Sequence, residues 1–240
     1  MKLLLPVKPK FINQGFGDTT NLAWYQAHGI FFKGHNGIDF SAKHGQRIYA
    51  SHDGWAFWEE DGAQGMGVVI CSNEMVDHDG LSSNYKTLYW HMVDPRKEPS
   101  LTSPIYGNVP VQIKAGDFIG YADNSGTSTG DHLHFGFKWG NLNEPPAQFI
   151  NLNPDNGYNG ASDPTPYFSD QFAEDVYKFP FDLKRGMTNE YVSKLQLLLG
   201  VKNTGYFGFM TFASVIKYQS ANNLPMTGYV GTLTRAKLNQ

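Results

Sequence analysis

The chain has 240 residues, which suits one large domain or a medium one with a small companion. Its 40% hydrophobic and 15% aromatic content excludes a disordered polymer, and its 26 glycines favour β-rich structure with many turns. The single cysteine, Cys71, excludes an internal disulfide and a cysteine-rich metal site, and no apolar run is long enough to span a bilayer.

The opening residues 1–7 are too short for a secretory signal and are interrupted by Pro6. The expectation is therefore a chain with no export route of its own, or one whose leader has been removed. Residues 1–150 read as short strands between Gly and Asp turns, with no long helical apolar period. Val68-Val69-Ile70, Lys86-Thr87-Leu88-Tyr89-Trp90 and Phe118-Ile119-Gly120-Tyr121 are β-type runs bounded by turn residues. Cys71 follows the first of these and is expected to be a buried thiol.

Residues 151–181 are rich in Asn, Asp, Pro and Gly and are expected to be a linker. Its aromatics Tyr167, Phe168, Phe172 and Tyr177 predict that its second half packs on something. Residues 182–240 switch to helix. Thr188 is expected to cap a first helix carrying Val192, Leu195, Leu198 and Leu199, with Gly200 as its stop. Thr211 is expected to open a second, and Thr232 and Leu233 a third. The predicted architecture is a mainly antiparallel β domain followed by a small all-α three-helix domain, near the lower limit for autonomous folding. Residues 182–240 carry seven Lys/Arg against two Asp/Glu, whereas the remainder is acidic overall. A basic module of this kind suits an anionic polymer, or is an ordinary solvated surface.

The chemistry concentrates in three runs: His35-Asn36-Gly37-Ile38-Asp39, Tyr89-Trp90-His91 and His132-Leu133-His134. Residues two or four apart on a strand share a face. His35 and Asp39 can therefore converge while Ile38 and Phe40 point inward. His132 and His134 share a face opposite Leu133 and Phe135. Imidazole and carboxylate are zinc ligands, and a catalytic zinc site uses three protein ligands and an open position. Gly34, Gly37, Gly130 and Gly136 frame the runs, and residues 124–130 look like a loop along one wall of a groove. His28, His44, His52 and His78 match no motif and are expected to be surface or satisfied histidines.

The ordered set resembles the lysostaphin-type zinc metallopeptidases, bacterial cell-wall endopeptidases, over about residues 15–140. It runs from Gly15-Phe16-Gly17 through the His35 run, Gly45-Gln46-Arg47-Ile48-Tyr49-Ala50, Asp53-Gly54, Gly65-Met66-Gly67, Leu88-Tyr89-Trp90-His91 and Gly116-Asp117-Phe118-Ile119-Gly120 to Ser128-Thr129-Gly130-Asp131-His132-Leu133-His134-Phe135. The resemblance implies one Zn2+ held by His35, Asp39 and His134, with His91 and His132 as catalytic residues. One of these two would accept the proton of the attacking water and the other would stabilise the oxyanion; which does which stays open. Three features depart from the family pattern: Asp131 before H-L-H, Trp90 where a small residue is common, and an apparent insertion at 94–110 rich in proline. These bear on groove shape and substrate choice, and Asp131 could raise the pKa of a catalytic histidine.

Residues 182–240 resemble a peptidoglycan-binding three-helix domain, through Leu183-Lys184-Arg185-Gly186, Leu195-Gln196, Gly205-Tyr206-Phe207-Gly208, Tyr218-Gln219, Leu224-Pro225 and Thr227-Gly228-Tyr229-Val230-Gly231. Together the resemblances imply a monomeric zinc endopeptidase tethered to a wall-binding module, with peptidoglycan as partner and neither nucleic acid nor membrane. The absence of a visible signal favours an endolysin, accumulating in the cytoplasm before release; a bacterial wall-remodelling enzyme is the other source. A zinc amidase cutting between sugar and peptide, and a non-catalytic wall-binding protein on the same fold, are the alternative readings.

Overall fold

Strand-forming runs alternate with turns through the first unit, in the order β1 (Leu3–Leu5), β2 (Ile12–Gln14), α1 (Leu22–Ala27), β3 (Ile38–Ser41), β4 (Arg47–Tyr49), β5 (Gly54–Glu60) and β6 (Met66–Ser72). β7 (Val76–His78), β8 (Leu81–Trp90), β9 (Val111–Ile113), β10 (Phe118–Tyr121), β11 (His132–Asn143), β12 (Gln148–Asn151) and β13 (Phe168–Phe172) complete it. The computed structural model describes all residues except 63, 64, 108, 144–147, 177 and 240, and the side chains of 175 and 176 also lie outside it. Tyr177, one of the aromatics expected to pack, is therefore outside the described residues. The chain divides into the units Met1–Ala173 and Glu174–Gln240.

The first unit is built on a nine-stranded sheet with path β2-β3-β11-β8-β6-β5-β9, with β12 on β11 and β7 on β8. Its pairings are antiparallel, and register separates its two faces. Phe135 lies opposite Tyr89, Phe137 opposite Thr87 and Trp139 opposite Tyr85. Val68 continues this face opposite Tyr89. Val68, Tyr89, Phe135 and Phe137 are fully buried, so this face is the core. Each such side chain contributes roughly 1.5–3 kcal/mol by burial. The intervening pairs His134–Trp90, Gly136–Leu88 and Lys138–Lys86 occupy the other face. That face forms the floor of a cleft.

The core face is covered from several directions. Antiparallel β4 and β10 contribute buried Ile48, Phe118 and Ile119. The backbone N–H of Ser51 donates to the Tyr89 hydroxyl at 2.8 Å. The rest of the cover comes from the stretch expected to be a linker. Residues up to 173 belong to the first unit. β13 pairs in parallel with β1. Phe168 meets Phe40 and Phe135 at ring-centroid distances of 5.9 and 5.3 Å, and Tyr167 meets Phe137 at 5.1 Å. Burial of these rings outweighs the turn-forming composition around them. The Asn-rich part is ordered too: Asn156 Oδ1 accepts the N–H groups of Tyr158 and Gly160. The short helix α1 sits within this mainly antiparallel β unit, and all its residues are at least partly exposed.

The second unit contains α3 (Glu190–Leu198), α4 (Phe209–Ala221) and α5 (Thr232–Leu238), after the short α2 (Ala173–Val176) at the junction. The cap of α3 is Asn189, not Thr188: its side chain accepts from Val192 N–H at 3.0 Å. Thr188 instead bridges to Tyr206. Gly200 follows α3 with φ +64°, a helix stop that glycine adopts without strain. α4 starts at Phe209, earlier than expected, because Thr211 is drawn inward. The Gln196 amide donates to the Thr204 hydroxyl, the Tyr206 carbonyl and the Thr211 hydroxyl. The Gln219 amide repeats this with Thr227, Tyr229 and Thr234. The unit is thus an internal tandem repeat at one constant offset, with a buried glutamine at the centre of each half.

Candidate active site

Strand pairing between β3 and β11 sets Asp39 directly opposite His134. His35 lies in the turn before β3, not within it, and reaches the same point. His134 Nδ1 is 3.0 Å from Asp39 Oδ1, His35 Nε2 is 3.2 Å from Asp39 Oδ1, and His35 Nε2 is 3.0 Å from His134 Nδ1. These three atoms therefore form a nearly equilateral triangle. Ligand atoms bound tetrahedrally to zinc at ~2.0–2.1 Å stand ~3.3 Å apart, so two imidazole nitrogens and one carboxylate oxygen in this arrangement fit that ion. His35 Nδ1 lies 3.1 Å from the Gly15 carbonyl. A carbonyl only accepts, so Nδ1 carries the proton and Nε2 presents its lone pair to the triangle. The Gly15-Phe16-Gly17 run thus has an orienting role.

Close packing supports the triangle. A Cβ on Gly37 would stand 2.6 Å from the Phe135 carbonyl oxygen and 2.7 Å from His134 Cε1, so only glycine lets the His35 turn pass over the His134 ring. Gly130, also expected to frame the site, has nothing near such a Cβ, and its contribution is its carbonyl.

His91 and His132 stand beside the triangle, with ring centroids 4.6 Å apart. His91 follows β8 with φ +61°, a backbone conformation that non-glycine residues seldom take and that clusters at functional sites. Its Nδ1–H donates to the Ser125 carbonyl at 2.7 Å, and that of His132 donates to the Gly130 carbonyl at 2.7 Å. The loop at 124–130 therefore does more than line a wall. Its carbonyls hold Nδ1 of both rings and so turn each Nε2 toward the cleft. His132 Nε2 is 3.5 Å from Asp39 Oδ1.

The electrostatics follow from burial and from Asp39. Burial pushes the Asp39 carboxyl up, but the imidazoles of His132, His134 and His35 packed around it outweigh burial and hold the group well below the usual carboxylate range. Burial, with the neighbouring His132 and His134, pushes His91 down to about 3. Burial also lowers His134. It opposes charge on His132 as well, but there the hydrogen bond and charge of Asp39 prevail and the pKa rises, with Asp131 a minor contributor.

These groups sit in a cleft of about 450 Å3. Trp24 and Tyr25 of α1, with Ile30 and Phe32 beyond it, form an aromatic and apolar wall that the sequence reading missed. Trp90 lines the floor. No described residue of the 94–110 stretch lines the cleft. Lys86 and Lys138 line the far floor and were also missed. The period-2 alternation that pairs His132 with His134 continues to Gly136 and Lys138 and could have found the latter.

The remaining histidines are satisfied or at the surface. His52 is buried, bonded to Thr87 Oγ1 at 2.9 Å, and pushed down to about 4 by burial. His78 stacks on Trp139 at 4.2 Å. His44 is exposed and spans Asp123 and Glu98 with its two nitrogens. Cys71 is buried, its thiol pushed up to about 12 by burial.

Residues 33–146 match the family model for peptidase family M23, and residues 189–238 match that for a putative peptidoglycan binding domain. The chain carries an M23 peptidase domain followed by a peptidoglycan-binding domain. His35, Asp39, His91, His132 and His134 all lie within the M23 domain. The DD-carboxypeptidase/endopeptidase Mpg of Neisseria meningitidis serogroup B is 33% identical over 114 residues, covering 46% of this chain and 22% of the relative. The chain thus matches about a fifth of that relative's length. Among solved structures, a zinc containing peptidase from Vibrio cholerae aligns over 57% of this chain and 36% of its own, at 23% identity and TM-score 0.40. The catalytic domain of lysostaphin from Staphylococcus simulans aligns over 69% of this chain and 90% of its own, at 22% identity and TM-score 0.36. No described helix is long and apolar enough to cross a membrane.

Proposed function

We propose that this protein is a zinc-dependent peptidoglycan endopeptidase that hydrolyses peptide bonds of the wall stem or cross-bridge, with Glu174–Gln240 as its wall-targeting unit. The observation that carries the reading is the His35–Asp39–His134 triangle in the cleft, flanked by two histidines held through Nδ1 by loop carbonyls. The M23 and peptidoglycan-binding matches point the same way.

His35 Nε2, Asp39 Oδ1 and His134 Nδ1 would hold the ion. A bound zinc supplies a Lewis acid for the scissile carbonyl and lowers the pKa of a coordinated water. The protein's own residues do the rest. Asp39 stays ionised, so the donor set keeps one negative charge across the working pH range. His91 and His132 turn their Nε2 atoms toward the cleft, and whichever of the two is unprotonated there can take a proton from water and return it to a leaving amine. The partner ring, once protonated, can hold negative charge developing on the carbonyl oxygen. The Ser125 and Gly130 carbonyls prevent either ring from turning its lone pair away.

We further propose that the protein acts as a monomeric endolysin-type wall hydrolase. The test is mass spectrometry of muropeptides after digestion of walls with different cross-links. New amino termini on peptide fragments are expected. Intact stems released from glycan would instead identify an amidase, and unchanged walls would identify a non-catalytic binder. A chelator should abolish release and added zinc restore it.

A further inference from the structure

The cleft floor continues past the triangle along two adjacent strands. On β11 the residues facing the cleft are His134, Gly136 and Lys138, and their partners on β8 are Trp90, Leu88 and Lys86. Gly136 has no side chain, and the Leu88 side chain packs over it, so that Leu88 and Trp90 make the apolar floor between the two ends. Lys138 lies four residues from His134, about 13 Å along the strand at ~3.3 Å per residue.

At that end Lys138 and Lys86 are directly opposed across the strand pair. Like charges across a strand pair are destabilising, and a buried charge without a partner is more so. Lys138 is only 8% exposed, yet its ammonium group makes no hydrogen bond or ion pair among the described residues. Its neighbours leave it so. Glu59 sits 3.8 Å from Lys86, a loose ion pair, and Glu60 is engaged by Arg96 at 3.2 Å. Glu59 and Asp61 act on Lys138 only at a distance. Lys86 also lies over the Phe149 ring at 5.3 Å. The cleft therefore has one polar end built of His and Asp, and another where Lys86 and Lys138 on the floor stand near Glu59, Glu60 and Asp61 on the wall, with the buried Lys138 ammonium paired to none of the three.

We propose that Lys138, with Lys86 opposite it, is a carboxylate-binding subsite that selects peptide substrates carrying a free carboxylate a few residues from the scissile bond. The proposal rests on the peptidase reading above. An extended peptide advances ~3.3–3.6 Å per residue, so the reach from the triangle to Lys138 spans up to about four residues. A carboxylate offers two acceptor oxygens to two ammonium donors and supplies the direct partner that Lys138 lacks. Trp90 and Leu88 would then carry the apolar part of the bound strand.

The experiment uses the full-length, zinc-loaded protein and two synthetic wall peptides, identical except that one free carboxylate near the scissile bond is a carboxamide in the second. Binding is measured by calorimetry and cleavage by chromatography, for wild type, Lys138→Met and Lys138→Arg. Wild type should favour the free acid about ten- to hundredfold in affinity, as a charge-assisted hydrogen bond implies. Lys138→Met should bring that ratio close to one, and Lys138→Arg should retain most of it. Equal binding of acid and amide by wild type, or an undiminished preference in Lys138→Met, overturns the subsite. Discrimination without cleavage by wild type leaves the subsite standing and removes the peptidase reading. Cleavage without discrimination does the reverse.

Discussion

Replacing Lys138 with methionine should stabilise the first unit, although it removes a side chain from the cleft. Burial, reinforced by Lys86, lowers the Lys138 pKa from an ordinary 10.5 to about 8. At neutral pH the folded protein therefore carries a charged group it would rather lose, at a cost of roughly 3 kcal/mol. The unfolded chain binds more protons than the native one between about pH 8 and 10.5, so wild-type stability should rise through that window. Below pH 8 the full cost is present. Methionine is of similar length, apolar and uncharged. Lys138→Met should thus gain roughly 3 kcal/mol at pH 7, or roughly 6–12 °C in melting temperature for a unit of this size, and should not gain stability between pH 8 and 10.5. All five tryptophans lie within residues 1–173, so urea unfolding followed by tryptophan fluorescence reports this unit. A less stable Lys138→Met at pH 7, or a wild type with no gain from pH 8 to 10.5, would refute the reasoning.

Three further outcomes are expected. His35→Ala and Asp39→Ala should lose bound zinc and wall cleavage together, while His91→Ala keeps zinc and loses most turnover; elemental analysis beside a wall-clearing assay separates the two classes. The reverse pattern, an empty His91→Ala and a filled Asp39→Ala, would show the ligand assignment to be wrong. Gly37→Ala forces a methyl group against the His134 ring and the Phe135 carbonyl, and should weaken zinc about ten- to hundredfold in a competitive chelator titration. Gln196→Ala strips partners from the Thr204 and Gly205 N–H groups and from the Thr211 hydroxyl. It should destabilise the second unit by about 2–4 kcal/mol. The loss should appear in far-ultraviolet circular dichroism, with the tryptophan transition unmoved.

Several features of the chain are legible because they are local. Alternation in His132-Leu133-His134-Phe135 puts both imidazoles on one face of β11 and both apolar residues in the core, whatever the neighbouring strands do. The same period continues to Lys138. Helical spacing in residues 190–198 and 209–221, and the glycine after the first of these, likewise need only their own segment. The capping residue was misplaced by one position because Thr188 and Asn189 are both able caps. Only the bridge from Thr188 to Tyr206 decides between them.

Composition misled where a few large side chains outweigh many small ones. Residues 151–173 are dominated by turn formers, yet Tyr167 and Phe168 bury against Phe40, Phe135 and Phe137, and the segment follows them.

The amino-acid sequence by itself determined the division into a β-rich and a helical region, the face on which each motif side chain stands, and the residue types offered for chemistry. These depend on backbone period and side-chain polarity within a few residues. Tertiary structure alone decided which of those side chains meet. His35 reaches His134 across 99 residues, Ser125 and Gly130 lend carbonyls to His91 and His132, and Lys138 faces Lys86. Such contacts depend on strand register, and a shift of one residue would turn each partner to the opposite face.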